Sequence, residues 1–167
     1  VPVEESPEFL VLASGPSVLE RSDDINRFIT DRNPIVIECN YQNAVEQGSH
    51  HYSVVLNHLR LSKFSQHLKE NRTQLVLGVD RVDADLINDL EDLRSWYFPY
   101  RVAEGVFSVT DEECVIPYDV VGMYAIALAI HMGGSQIFLC GFDGYLPDLD
   151  RSRSFASDQI IAQREME

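Results

Sequence analysis

The feature that most narrows what this chain can fold into is a short, unbroken apolar run that recurs along it, each time closing in a polar or glycine-bearing tip. "FLVLA" (9–13) runs into Ser14-Gly15-Pro16-Ser17, "IVIEC" (35–39) into Asn40-Tyr41, and "YSVVLN" (52–57) into His58. "QLVLGV" (74–79) is a further run, and "IFLCG" (137–141) leads into Phe142-Asp143-Gly144-Tyr145. A strand that is apolar at successive positions, not alternate ones, is covered on both faces. The segments between carry the helical period. Val18, Leu19, Ile25, Phe28 and Ile29 fall at helix-like intervals over 18–30, with Ser17 as N-cap, and Asn33-Pro34 ends that helix. Residues 59–71 read as an amphipathic helix, residues 83–96 line up Leu86, Leu90 and Leu93, and residues 119–133 form an apolar helix stopped by Gly133-Gly134. Residues 40–51 suit a short helix or loop, while 97–102 and 105–109 suit short edge strands. Apolar strands alternating with helices predict an α/β three-layer sandwich around a mainly parallel sheet.

Bulk properties exclude several classes. The 167 residues fit one domain with a sizeable core. With 27 acids against 13 lysines and arginines the net charge is −14, a field that repels nucleic acid and anionic membrane. An anionic small molecule is still admissible, because backbone N–H groups bind phosphate locally. Cys39, Cys114 and Cys140 are odd in number and lack CxxC spacing, which points neither to a disulfide framework nor to zinc. The longest apolar stretch, Val120 to Met132, is too short to span a bilayer, and no basic, then apolar leader opens the chain. A cytoplasmic location is expected. No metal site is expected either: His50-His51 has no acid at a ligand spacing, His67 and His131 fall in helices, and the acidic run 80–93 reads as a solvated helix face. No G-x-S-x-G elbow anchors a hydrolase triad, so no catalytic residue and no cofactor can be assigned.

In an open parallel sheet, ligands bind beyond the carboxyl ends of the strands. The tips therefore supply the candidates. Gly15 allows close backbone approach and the helix after Ser17 offers N–H groups, so Ser14, Gly15, Pro16 and Ser17 form a possible phosphate loop. Neither G-x-G-x-x-G nor a GK[ST] P-loop is present, and taken alone the loop favours a plain strand-to-helix turn. Asn40 could serve a base or ribose, or simply form a turn. Asn57 closes the third strand, with Arg60 behind it to meet a phosphate. Gly141, Asp143 and Tyr145 close the last strand; Asp143 could orient a sugar hydroxyl, hold a cation or cap a helix. Each tip is ambiguous singly, and their joint occurrence carries the weight.

"FLVLASGPSVLE", "NPIVIECNY" and "YAIALAIHMGGSQIFLCGFDGY" together resemble a Rossmann-like superfamily that includes bacterial sialyltransferases, over Phe9 to Tyr145. A closer likeness is to the C-terminal domain behind an aldolase domain, of the lyase type related to hydroxymethylglutaryl-CoA lyase, in polysaccharide-biosynthesis proteins. It rests on Asn33 to Val36 with Asn40, Asn57 with Arg60, and Gly141 to Tyr145. The resemblance implies a Rossmann-like domain over 9–150, preceded by a leader or linker (1–8) and followed by a truncated helical tail (151–167). It implies an accessory, non-catalytic role: binding a nucleotide, nucleotide-sugar or similar anionic metabolite beside a covalently linked upstream catalytic domain. Two rivals stand. One is a sialyltransferase-like glycosyltransferase lacking its lid and base; the family's Thr-Ser pair is here Val120-Val121, and no histidine follows His131. The other is a scaffold that binds nothing.

Overall fold

The computed structural model describes residues 7–41, 45, 52–71, 74–78, 90 and 93–143. Five parallel strands follow one another outward: β1 (Glu8–Leu12), β2 (Ile35–Cys39), β3 (Tyr52–Val55), β4 (Gln74–Leu77) and β5 (Ser95–Tyr97). Strands β6 (Tyr100–Val102), β7 (Ser108–Val109) and β8 (Cys114–Ile116) then make a separate three-stranded sheet in the order β6-β8-β7. The last strand, β9 (Gln136–Cys140), returns to pair parallel with β1 on its free side, giving the order β5-β4-β3-β2-β1-β9. Helices α1 (Ser17–Glu20) and α2 (Ser22–Arg32) join β1 to β2, α3 (His58–Asn71) joins β3 to β4, and α4 (Val121–His131) precedes β9. The architecture is an α/β, Rossmann-like sandwich with a mainly parallel sheet.

Why both faces of the strands are apolar is answered by two cores. Phe9, Val11, Ile37, Cys39, Val54 and Val76 point to one face, where Tyr124, Ala125, Ala127, Leu128 and Ala129 of α4 cover them. Leu10, Leu12 and Val36 point to the other, under Val18 and Ile25, and farther along Val55 and Leu75 meet Leu61, Phe64 and Leu68 of α3. Pleating sends successive side chains to opposite faces, so a two-sided core requires apolar residues at adjacent positions. The Tyr124 hydroxyl donates to the Phe98 carbonyl at 2.8 Å and so ties α4 to the end of β5.

Several boundaries depart from the sequence expectation. The first helix breaks at Arg21 (φ −116°, ψ 19°) into α1 and α2. Ser17 does not cap it: Pro16 holds the N-cap position, and the Ser17 hydroxyl bonds to Asp143. Asn33 ends α2 in the left-handed conformation (φ 47°), which asparagine tolerates better than most residues. The helix expected over 83–96 does not reach its stated end, because Ser95–Tyr97 is strand β5, hydrogen-bonded along β4. Pairing with β4 takes Ser95 and Trp96 out of the expected helix. Strand β8 was not foreseen: three residues after an acidic turn are too few to show a period, and β6 and β7 on either side decide it. The tail 151–167, most of the leader and the segment 83–89 lie outside the described residues.

Phe64 is fully buried beneath the sheet. Replacing Phe64 with alanine is expected to lower stability by about 3–5 kcal/mol, read as a shift of the urea midpoint at unchanged m-value.

Candidate functional site

From β1 the chain runs outward through β2 to β5, then crosses by way of α4 to the far side of β1. Strand order therefore reverses between β1 and β9, and the crevice beyond their carboxyl ends is where such sheets admit ligands. The two glycine-bearing tips meet at that point. The Ala13 amide donates to the Cys140 carbonyl at 2.8 Å and the Gly15 amide to the Gly141 carbonyl at 2.9 Å, extending the β1–β9 pairing past both strands. A Cβ on Gly15 would lie 2.5 Å from both the Gly141 carbonyl oxygen and Asp143 Oδ2. Gly141 has φ +77° and would drive a Cβ into the Ala13 carbonyl. Both glycines are thus demanded by the approach of the strand ends to each other.

Ser17 completes the join. Its backbone N–H donates to Asp143 Oδ2 at 2.7 Å and its hydroxyl to Asp143 Oδ1 at 2.6 Å. The donors expected to face a phosphate thus already hold a carboxylate, and a phosphate at this loop would have to displace it. Asp143 is exposed, and a carboxylate oxygen accepts more than one hydrogen bond, so the pair leaves a fixed acceptor at the strand ends. Pro16 is half-buried beside it.

The other tips are drawn in unequally. Ser14 is buried, its Oγ 3.4 Å from the Cys39 carbonyl, which links the first tip to the second. Asn40 adopts a left-handed conformation (φ 63°) and its amide donates to the Val54 carbonyl at 2.8 Å. That backbone accounts for an asparagine here, and Tyr41 beyond it packs into the core, stacked on His67 at 4.8 Å. Asn57 Oδ1 accepts from the Leu59 amide at 2.8 Å, capping α3, with the half-buried Arg60 in the helix's first turn. Both stand at the end of β3, about 10 Å from β1 by the strand spacing. So Ser14, Gly15, Pro16, Ser17, Gly141 and Asp143 share one place with Asn40 beside them, while Asn57 and Arg60 lie farther along the rim. Tyr145 and Gly144 lie outside the described residues.

Three features escaped the sequence reading. Glu38 in β2 is fully buried and accepts a hydrogen bond from the Ser53 hydroxyl of β3. An acid inside "IVIEC" was the available signal, since a carboxyl enters a core only with partners. Phe142 is exposed on the rim and lies against the start of α4, where a Cβ on Gly122 would come within 2.7 Å of its ring. Tyr100 lies against Gly78 at the end of β4, its hydroxyl donating to Asp119 Oδ1 at 3.0 Å. Nothing local marks an edge-strand tyrosine as part of a rim built from distant strands.

Thiol chemistry is suppressed. Burial drives the Cys39 thiol far above its ordinary range, the Glu38 carboxylate adding to it. Burial, helped by Glu113, pushes Cys114 up to about 11, and burial also raises Cys140. Among the described residues no three His, Cys, Asp or Glu side chains gather as a metal would require, and no helix is long and apolar enough to cross a membrane. Comparison with protein-family models, characterised proteins and solved structures gives no match for this chain.

Gly15→Ala is expected to cost about 1–3 kcal/mol by forcing the two tips apart, measured by thermal or urea unfolding. In native protein near pH 8, Cys39 and Cys114 are expected to react with a thiol reagent only as fast as the chain unfolds. The unfolded chain ionises Cys114 first, from 9.0, whereas the folded chain does so at about 11. Its contribution to stability is therefore intact below pH 9 and is lost as pH climbs toward 11, which unfolding at a series of alkaline pH values will register.

Proposed function

We propose that this domain binds a nucleotide, nucleotide-sugar or similar anionic metabolite in the crevice beyond β1 and β9, as an accessory domain of an aldolase-like enzyme of surface-polysaccharide biosynthesis. The observation that carries the reading is the meeting of two glycine-bearing tips at the point where strand order reverses. The enzyme context comes from the likeness of the Gly-Pro-Ser, Asn and Gly-Phe-Asp-Gly-Tyr tips to the domains described above.

In this reading Asp143, oriented by both donors of Ser17, accepts hydroxyls of the sugar or ribose. Asn40 and Ser14 line the neighbouring strand ends, and Gly15 lets the ligand approach the backbone. With the Ser17 donors engaged, phosphate falls to the β3 side of the rim, where Arg60 stands. That division suits a ligand with its sugar over β1 and β9 and its charge farther along the edge.

The test is a thermal-shift screen of the chain against CMP, UDP, GDP, ATP and CMP- or UDP-sugars, with and without magnesium. A ligand at about a hundred times its dissociation constant adds about 2.7 kcal/mol to stability. The expected result is a clear shift with one nucleotide class, lost in Asp143→Ala and reduced in Asn40→Gly, which keeps the left-handed backbone while removing the amide. No shift with any of these compounds, in protein shown to be folded, overturns the proposal.

A further inference from the structure

The amides of the loop after β1 stand where an anion would seek donors, and the fold engages them within the chain. The Ala13 N–H goes to the Cys140 carbonyl, the Gly15 N–H to the Gly141 carbonyl and the Ser17 N–H to Asp143 Oδ2. The Val18 N–H donates to the Gly15 carbonyl at 3.1 Å, and the Leu19 N–H to the Pro16 carbonyl at 3.0 Å. Pro16 has no N–H to give. The Ser14 hydroxyl donates to the Cys39 carbonyl at 3.4 Å, and that of Ser17 to Asp143 Oδ1. An anion is held by donors, and each of these already has an acceptor.

Acceptors remain at the same place. Each carboxylate oxygen of Asp143 takes one hydrogen from Ser17 and keeps a lone pair, and the residue is exposed. A hydroxyl, which donates, can use that lone pair; a carboxylate or phosphate cannot. Charge points the same way. Residues 1–20 and 102–150, the stretches that supply β1, β9 and their tips, contain no Lys or Arg. Arg21, the first cation after the loop, lies 3.5 Å from Asp24. A second anion brought beside Asp143 therefore meets repulsion without a described counter-charge, and a site discriminates by such repulsion as well as by attraction.

We propose that Asp143 is a specificity determinant, which admits a neutral glycosyl group to the β1–β9 end and rejects one that bears a carboxylate. This selectivity rests on the nucleotide-sugar reading above and narrows it. The negative charge of the ligand is confined to its phosphates, and its sugar presents hydroxyl donors. Nucleotide esters of uronic and sialic acids are the class refused.

Isothermal titration of the whole chain with matched ligands tests this: UDP-glucose against UDP-glucuronate, GDP-mannose against GDP-mannuronate, and CMP-sialate against CMP. Within the hexose pairs the acidic member differs only in a carboxylate that replaces a hydroxymethyl group. In the wild type the neutral member is expected to bind about tenfold or more tighter, and CMP-sialate no tighter than CMP. Asp143→Asn keeps an oxygen for Ser17 and removes the charge. It is expected to bring the acidic hexose to within about threefold of the neutral one, in protein with wild-type circular dichroism. An acidic sugar held as tightly as its neutral counterpart, or CMP-sialate held tighter than CMP, overturns the proposal and leaves nucleotide binding standing. A neutral-sugar preference undiminished in folded Asp143→Asn overturns the role given to Asp143. If none of these compounds binds, the nucleotide-sugar reading itself fails, and this proposal with it.

Discussion

The tight approach of β1 and β9 at their carboxyl ends is the contact on which the arrangement of this molecule turns. Two backbone hydrogen bonds prolong the parallel pairing beyond the strands, and the Ser17–Asp143 pair locks the loops that follow. That closure needs a residue without a side chain on each strand, Gly15 on one and Gly141 on the other. Because the two strands are far apart in sequence, the closure also commits the intervening chain, from α1 to α4, to return over the sheet. The two strand ends at the strand-order reversal are held together by it.

Polar groups inside the sheet follow the same economy. Glu38, buried in β2, is held by Ser53 of β3, and Tyr124 of α4 carries its hydroxyl to the Phe98 carbonyl. Each gives a polar group a partner inside the core, where an unpaired one costs about 1–3 kcal/mol. Both bonds cross between elements, so they add register and orientation to cores that are otherwise apolar. The rim above them is mixed in character: a fixed carboxylate at β1 and β9, aromatic faces at Phe142 and Tyr100, and a cation toward α3.

Much of this was legible before any coordinate. Strands covered on both faces write themselves as unbroken apolar runs, so all of β1 to β4 and β9 were visible, with ends displaced by a residue or two. The short pieces were not. Strand β5 takes the last two residues of a segment read as helix, and β8 is too brief to show a period; both owe their form to a partner strand. At the candidate site, the glycines announced a close approach, but what approaches was not legible. Ser17 looked like a helix cap offering donors to an anion, and the fold delivers Asp143 to it instead. Asn57, a candidate ligand contact in sequence, proves to cap α3.

The division has a physical basis. Sequence alone determined the class of architecture, since hydrophobic periodicity is a local property that records how many faces of an element are buried. It also determined that certain strand ends must be free of side chains. Tertiary structure alone decided which ends meet, that the acceptor of Ser17 is a carboxylate 126 positions away, and that the last described strand returns to lie beside the first. Those are facts of strand order, and strand order is set by long-range pairing that no local pattern encodes.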